Sequence, residues 1–577
     1  MPINLPEPPE ELRPILARYE GRGRTALLEA LWDVQGLYGY VTPEAAQAVA
    51  QVLHVPLSDV HGVMEFYSML YREPVGRTII RICDDIPCML AGSSRILEAV
   101  SCRLGIAPGE ATSDGAFTLE ACSCLGQCPR APAALVNTTV HGPLASDGIE
   151  SLLANRPALH RPRVGGYIRV ALANVGLIDP TSLDDYLTQG GFAALRRALT
   201  QMTPAQVIAD VKASGLVGRG GAAFPTGIKW ESAARARGEV RYVICNADES
   251  EPGAFKDRVL LEGDPFRVLE GLMICGYAIG ARRGFVYVRG EYPLAYRLLL
   301  NAVEKARSAG FLGEHILGSD FGFDVEIRRG AGAYVCGEET ALMESIEGKR
   351  GMPRLRPPYP TTSGLWGQPT VINNVETFAK VPPIILHGGA WYHGLSTTDS
   401  AGTKLFAVSG HVVRPGVYEV PFGITLRHLL FDLAGGVPGN RPIQAVLTGG
   451  AAGTFLTSEQ LDAILDFKGI QAAGGTVGAG TIMVFGDTVD MRLVLARIAR
   501  FFAHESCGKC YPCQLGTHRQ AETLARIAQG DVRRGDVALL QDVGWTMADT
   551  SICGLGQTAA TALLSALKRW PHLVPQG

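Results

Sequence analysis

Nothing in this sequence reads as a membrane span, a secretion signal or a nucleic-acid-binding surface. The formal net charge is only −3, so no excess of one sign points to nucleic acid or to an anionic membrane as partner. No run of about eighteen apolar residues occurs, so no membrane-spanning helix is expected. The opening Met1-Pro-Ile-Asn-Leu-Pro-Glu has no basic stretch followed by an apolar core, so no secretory leader is expected. Internal repeats and low-complexity tracts are also missing. Neither G-x-G-x-x-G after a strand nor a P-loop is found, so the usual dinucleotide and nucleoside-triphosphate fingerprints do not apply.

What is present is a large globular chain. Its 577 residues exceed one hydrophobic core and call for roughly three to five domains. Hydrophobic residues make up 47%, which fits packing rather than disorder. The 69 glycines point to loops that approach a ligand with their backbone. Thirteen cysteines without a secretory leader belong in a reducing, cytoplasmic setting, where metal binding is commoner than disulfides.

Hydrophobic periodicity divides the chain. Residues 1–72 read as helical, at Glu11–Tyr19, Arg24–Trp32 and from Pro43, where Thr42 caps. Residues 73–160 alternate strand and helix, with strands at Arg77–Cys83 and Ala133–Asn137 and a helix at Ser93–Leu104. Pro157–Arg163 reads as a linker. A larger α/β region spans 165–395, a small β-rich and glycine-rich domain 400–485, and a helical domain 490–577. The fold class is therefore multidomain α/β and α+β.

Two cysteine constellations carry the strongest chemistry. Cys507, Cys510 and Cys513 stand in a C-x2-C-x2-C run, and Cys553 follows at a distance. Three thiolates so spaced wrap one face of a cluster and the fourth closes it, which is a [4Fe–4S] pattern; zinc usually pairs two C-x2-C units. The second set is Cys83, Cys88, Cys124 and Cys128. Two pairs, x4 and x3 apart, suit a [2Fe–2S] cluster with two thiolates per iron, and zinc is the rival. Cys124 is chosen over Cys122 because it gives the x3 pair. Cys102, Cys245, Cys275 and Cys336 read as small buried hydrophobes.

The remaining signals are weaker one by one. Gly218-Arg219-Gly220-Gly221 precedes Phe224 and Lys229, and could bring backbone N–H groups and a cation to phosphate. Asn246, Asp248, Ser250 and Glu251 follow a strand-like run, a common ligand position in open α/β sheets. Their carboxylates suit hydroxyl or amide groups better than phosphate. Tyr334-Val-Cys-Gly337-Glu338-Glu339 leads into a helix, Arg356 and Tyr359 lie in a proline-rich arm, and Asn373-Asn374 follow another apolar run. Each alone also reads as an ordinary loop.

In this order, the five segments around Gly218, Asn246, Gly337, Asn373 and Cys507 resemble the 51-kDa flavoprotein of respiratory complex I over about 165–577. Residues 1–160 resemble the 24-kDa [2Fe–2S] subunit of the same NADH module. The fusion, with nothing after the [4Fe–4S] pattern, resembles most the diaphorase subunits of soluble NAD-reducing [NiFe] hydrogenases; fused complex I subunits and the flavoprotein subunits of NAD-dependent formate dehydrogenases are the alternatives. The resemblance implies a thioredoxin-like [2Fe–2S] domain, a Rossmann-like FMN- and NAD-binding domain, a β-grasp-like domain and a helical [4Fe–4S] domain. It implies an NADH:acceptor oxidoreductase. FMN would rest on Gly218, Arg219, Gly220, Lys229, Asn246, Asp248, Ser250, Tyr334, Gly337, Glu338, Asn373 and Asn374. NAD would lie near Gly221, Phe224, Glu251, Glu339, Arg356 and Tyr359. Ser232, Arg356 and Tyr359 stand where the family commonly has an aromatic, Lys and Phe. Hydride transfer needs no protein acid or base, so no catalytic proton donor is assigned. The implied partners are an iron–sulfur diaphorase small subunit and [NiFe] hydrogenase subunits.

Overall fold

A computed structural model describes residues 9–158 and 162–574. Residues 159–161 of the expected linker, and the chain's first eight and last three residues, lie outside the described residues. The helix expected at Pro43 forms over Pro43–Leu53, and Thr42 Oγ1 accepts from Ala45 N at 3.1 Å. The next expected helix starts late, over Leu27–Tyr38, and stops at Gly39 with φ of 82°, the left-handed conformation that glycine adopts freely. Glu11–Tyr19 is not one helix but three short turns, Glu10–Leu12, Arg13–Leu16 and Ala17–Tyr19. Pro14 has no N–H to donate, so a helix from Glu10 cannot run through it.

The first sheet contains β1 (Thr78–Cys83), β2 (Phe117–Cys122), β3 (Ala134–Val136) and β4 (Thr139–His141), in the order β2-β1-β3-β4. The parallel β1–β2 pair requires a crossover, which the helix Ser93–Leu104 supplies. Strand β5 (Val164–Gly165) leads out of this domain.

The central sheet holds β6 (Tyr242–Ala247), β7 (Arg283–Val288), β8 (Asp324–Arg329) and β9 (Thr370–Asn374), all parallel, in the order β8-β7-β6-β9. Parallel strands need cover on both faces. The helix Pro265–Ile279 packs on one side. On the other, Ile244, Phe285 and Tyr287 share a core with Leu31, Val49 and Val63 of the N-terminal helices. The helical N-terminal segment thus supplies the second layer of the central sheet. Trp32 Nε1 donates to Gly330 O at 3.2 Å and Tyr67 Oη to Ser345 Oγ at 2.7 Å across that contact.

The third sheet comprises β10 (Thr403–Gly410), β11 (Gly416–Pro421), β12 (Ile443–Thr448), β13 (Thr454–Leu456) and β14 (Thr481–Gly486), in the order β13-β12-β14-β10-β11-β5. Strand β5 pairs with β11, Val164 opposite Val417, so a boundary drawn at 165 cuts into this sheet. Helices Met491–Glu505, Tyr511–Ala528, Asp536–Thr550 and Thr561–Arg569 complete the fold. Among the described residues, no helix is long and apolar enough to cross a membrane.

One buried charge cluster fastens the central and third sheets together. Glu376 meets Lys256 at 3.1 Å, Lys380 at 2.8 Å and Lys404 at 2.5 Å, and it accepts from Leu405 N at 2.9 Å. All four side chains are at most 1% exposed.

Candidate functional site

The strand order of the central sheet reverses between β6 and β9. In open α/β sheets ligands bind outside the carboxyl ends of strands at such a switch point. The register sets Asn246 of β6 beside Asn374 of β9, and Cys245 beside Asn373. Asn246 Nδ2 donates to Gly337 O at 2.8 Å, and Asn246 Oδ1 accepts from Asp248 N at 3.1 Å. Ser250 Oγ donates to Asp248 Oδ1 at 2.9 Å. Asp248 Oδ2 is buried and has no protein partner. Burial, with Glu291 and Glu505 nearby and Arg289 opposing, pushes the Asp248 carboxyl up to about 8.

The glycine-rich loop faces the same crevice: Gly220 lies against Asn374, with a Cβ there meeting Asn374 Cβ at 3.2 Å. At Gly218 the backbone is not in the left-handed region, and an added Cβ would meet nothing closer than Phe224 O at 3.6 Å. Nothing in the packing demands glycine there, and the open space beside it is what a bound group would need. Lys229, on the following helix Thr226–Arg235, reaches Glu339 Oε2 at 3.2 Å and Ile372 O at 3.1 Å. Arg356 approaches the other oxygen of Glu339 at 3.1 Å. Phe224 and Tyr359 are half-exposed, 50% and 58% accessible.

Four expected site residues have other engagements. The Arg219 guanidinium is buried, donates to Tyr392 Oη at 3.2 Å and Ala401 O at 2.8 Å, and lies over the Phe422 ring. Its N–H goes to Thr377 Oγ1 at 2.9 Å. Glu338 caps the helix Glu339–Ile346, accepting from Thr340 N and Ala341 N at 2.8 and 2.9 Å. Asn373 Oδ1 accepts from Trp230 Nε1 at 2.9 Å. Glu251 accepts from Tyr334 Oη at 2.6 Å and from Ala452 N at 2.9 Å, and burial pushes its carboxyl up to about 7.

The structure brings both cysteine sets together. Cys83 ends β1, Cys88 lies on the short helix Ile86–Leu90, and Cys124 and Cys128 face each other with their sulfurs 3.5 Å apart. Hydrogen bonds with Cys124 and Cys88, together with burial, push the Cys83 thiol well up. Cys122 ends β2 directly opposite Cys83 of β1, and burial pushes its thiol up too. Cys507, Cys510, Cys513 and Cys553 line one cleft with Ser506, Lys509 and Pro353. Cys510 precedes the helix Tyr511–Ala528 and Cys553 the helix Gly554–Thr558, so backbone N–H groups at two helix starts border a cleft that would hold an anionic cluster. Cys245, Cys275 and Cys336 are buried as expected, whereas Cys102 is exposed: the helix Ser93–Leu104 turns it away from its buried face, which carries Ser93, Ile96 and Val100.

Sequence reasoning passed over residues that join these sites. Glu505 accepts from Tyr334 N at 2.9 Å and from Ser123 Oγ at 3.1 Å, two residues before Cys507. Arg497 pairs with Asp84 at 2.6 Å, next to Cys83. Glu505 lies just ahead of the cysteine run, and nothing in its local pattern names its partners.

Comparison with known proteins finds family matches on three stretches of the chain. Residues 12–156 match the family described as thioredoxin-like [2Fe-2S] ferredoxin. Residues 211–383 match the Nuo51 FMN-binding domain, and residues 493–576 the NADH-ubiquinone oxidoreductase-F iron-sulfur binding region. The NAD-reducing hydrogenase HoxS subunit alpha of Cupriavidus necator is 36% identical over 97% of this chain and 93% of its own length. The NADP-reducing hydrogenase subunit HndC of Solidesulfovibrio fructosivorans is 48% identical over 69% of this chain and 81% of its own length. A chain in the crystal structure of NAD+-reducing [NiFe]-hydrogenase in the H2-reduced state superposes with a TM-score of 0.84 at 34% identity, covering 96% of this chain and 93% of that one.

Proposed function

Because the chain belongs to the family of NAD-reducing hydrogenase alpha subunits, we propose that it is the diaphorase subunit exchanging electrons between NAD(H) and a [NiFe] hydrogenase module. It is an NAD-dependent flavin and iron–sulfur oxidoreductase with FMN-binding, [2Fe–2S] and [4Fe–4S] regions, and its relatives are subunits of hetero-oligomers. The proposed partners are an iron–sulfur diaphorase small subunit and the hydrogenase subunits. The proposed compartment is the cytoplasm, where thirteen cysteines with no disulfide among them stay reduced.

The observation that carries the reading is the crevice at the β6–β9 switch point, where Asn246, Asn374 and the open glycine loop converge. FMN, when bound, supplies hydride chemistry on one side and single-electron chemistry on the other. Gly218, Gly220 and Lys229 would serve its phosphate. Asn246, Asp248, Ser250, Gly337 and Asn374 would serve its hydroxyl and ring polar groups. The orphaned Asp248 Oδ2, on a carboxyl pushed up by burial, can donate as well as accept there. Arg219, Glu338, Asn373 and Tyr334 shape the crevice through the contacts they already make. Gly221, Phe224, Glu339, Arg356 and Tyr359 would receive NAD, and Glu251 would act on that side by fixing Tyr334. Cys83, Cys88, Cys124 and Cys128 would hold the [2Fe–2S] cluster, and Cys507, Cys510, Cys513 and Cys553 the [4Fe–4S] cluster.

Acid extraction followed by mass measurement is expected to release FMN. Anaerobic NADH is expected to bleach the flavin and reduce the clusters. FAD in stoichiometric amount, or a flavin inert to NADH, refutes the reading. Nickel in the co-purifying complex supports the hydrogenase module, and molybdenum or tungsten in its place overturns that part.

A further inference from the structure

The turn that carries Cys124 and Cys128 is gripped by two arginines from another domain. Arg289, just past the end of β7, donates from Nη2 to Cys124 O at 2.8 Å and from Nη1 to Glu249 O at 2.6 Å. Arg258, on the helix Lys256–Gly263, donates from Nε to Gly126 O at 2.8 Å. Glu249 stands between Asp248 and Ser250, so Arg289 joins the cysteine turn to the acidic segment of the flavin crevice through one guanidinium. Gly126 is closed in as well: a Cβ there would meet Tyr292 Oη at 2.1 Å.

Each arginine has its own carboxylate, Glu291 at 2.7 Å for Arg289 and Glu262 at 2.7 Å for Arg258. The arrangement is polar rather than neutral. The arginine side chains are 4% and 7% exposed, the carboxylates 15% and 13%. The guanidiniums lie against carbonyls of the cysteine turn and the carboxylates lie nearer solvent, and of the two cations it is Arg289 that acts on the Cys124 thiol. Water screens the outer charges more than the inner ones.

We propose that Arg289 and Arg258 are positioning residues that raise the reduction potential of the [2Fe–2S] cluster, so that docking of the central domain sets how readily this site accepts an electron. The inference rests on the reading of Cys83, Cys88, Cys124 and Cys128 as its ligands. One-electron reduction adds one negative charge to such a cluster, and its potential follows local charge, hydrogen bonding and solvent exposure. Buried cations held against the ligand turn favour the added charge. The ligand cysteines and the arginines come from different domains, so the potential is a property of the assembled interface.

The test is an EPR-monitored redox titration of the full chain and of Arg289→Gln, Arg289→Lys and Arg258→Gln. The expected result is a tenfold weaker preference for the reduced [2Fe–2S] form in each Gln variant, which is about 59 mV lower for a one-electron couple. Arg289→Lys should fall less, and the [4Fe–4S] midpoint should stay where it is. Should Arg289→Gln lose the cluster, the Arg258→Gln midpoint decides. An unchanged [2Fe–2S] midpoint in the Gln variants, an equal shift of both clusters, or loss of the [2Fe–2S] signal in all three variants overturns the proposal. A wild-type chain with no [2Fe–2S] signal refutes instead the ligand assignment on which it rests.

Discussion

Replacing Glu376 by Gln should loosen the junction between the flavin crevice and the third sheet. Glu376 is, among the described residues, the one carboxylate shared by Lys256, Lys380 and Lys404, at 3.1, 2.8 and 2.5 Å, with none of the four more than 1% exposed. Asp257 also meets Lys256, at 2.6 Å, but it does not replace the charge beside Lys380 and Lys404. Removing one partner of a buried ion pair typically costs about 3–5 kcal/mol, because the other charge is left uncompensated. For a domain of this size that is a fall of about 6–20 °C in melting temperature. Flavin should be released early in the transition, since the same helix touches the glycine loop through Thr377 Oγ1, which accepts from Arg219 N at 2.9 Å.

The pH dependence gives a second reading. Burial alone would raise the Glu376 carboxyl, but Lys380, Lys404 and Lys256 hold it well below the usual range. A depressed carboxyl contributes fully above its unfolded value of about 4.3, and that contribution is lost only as pH falls through the lower folded value. The gap between wild type and variant should therefore persist from pH 7 down to 5. On the alkaline side the sign reverses. Burial and the neighbouring Lys256 and Lys380 already disfavour the charge on Lys404, and without Glu376 it sheds its proton in the folded state first. The unfolded chain then binds more protons, so stability rises with pH, and the deficit should narrow on the alkaline side. Scanning calorimetry with flavin fluorescence across that range is the assay. A melting temperature within about 2 °C of wild type at pH 7, or a deficit that widens with alkali, refutes the reasoning.

Three further outcomes are expected. Cys124→Ser should abolish the [2Fe–2S] signal while Cys122→Ser spares it, because it is the Cys124 sulfur that meets Cys128 at 3.5 Å and bonds with Cys83; the reverse pattern would show that the wrong thiol was chosen. Cys510→Ala should remove the [4Fe–4S] signal from the reduced protein and leave flavin absorbance in place, and an unchanged EPR spectrum sinks that ligand set. Glu339→Gln should raise KM for NADH about ten- to a hundredfold, since losing a hydrogen bond to a charged group costs about 1.5–3 kcal/mol, with flavin content unaltered; normal KM with reduced turnover and a solvent isotope effect would instead give Glu339 a proton-transfer role.

What the sequence made legible was local. Ligand spacing put four thiols in one cleft at Cys507–Cys553, and apolar runs ending in Asn246 and Asn374 delivered both asparagines to the same edge of one sheet, because a strand's end is where its run of apolar residues stops. What stayed hidden depends on which surface an element meets. The N-terminal segment reads only as helical, and nothing in it shows that its apolar faces cover Phe285 and Tyr287. Arg219 sits in a glycine-rich loop and reads as a phosphate ligand, but its side chain turns to Tyr392 and Phe422. Cys102 reads as a buried thiol, and only the orientation of its helix exposes it. Arg289 follows an ordinary strand, and no spacing rule places its guanidinium on a cysteine turn some 165 residues earlier.

These hidden contacts share a pattern: residues of one domain finish the site of another. Arg289 and Arg258 of the central domain hold the turn of Cys124. Arg497 of the C-terminal domain holds Asp84, beside Cys83. Glu505, two residues before Cys507, takes hydrogen bonds from Tyr334 of the central domain and Ser123 of the first, and Tyr334 in turn reaches Glu251 at 2.6 Å. A site is held to sub-ångström geometry only when its supporting shell is itself fixed, and here much of that shell is interdomain. Domains joined by small polar interfaces are expected to move against each other; these are joined by a shared apolar core and by buried ions whose separation would leave charges unpaired. Moving one domain relative to the next would therefore disturb the neighbour's site as well as the boundary, so the relative placement of the three sites is part of the fold itself.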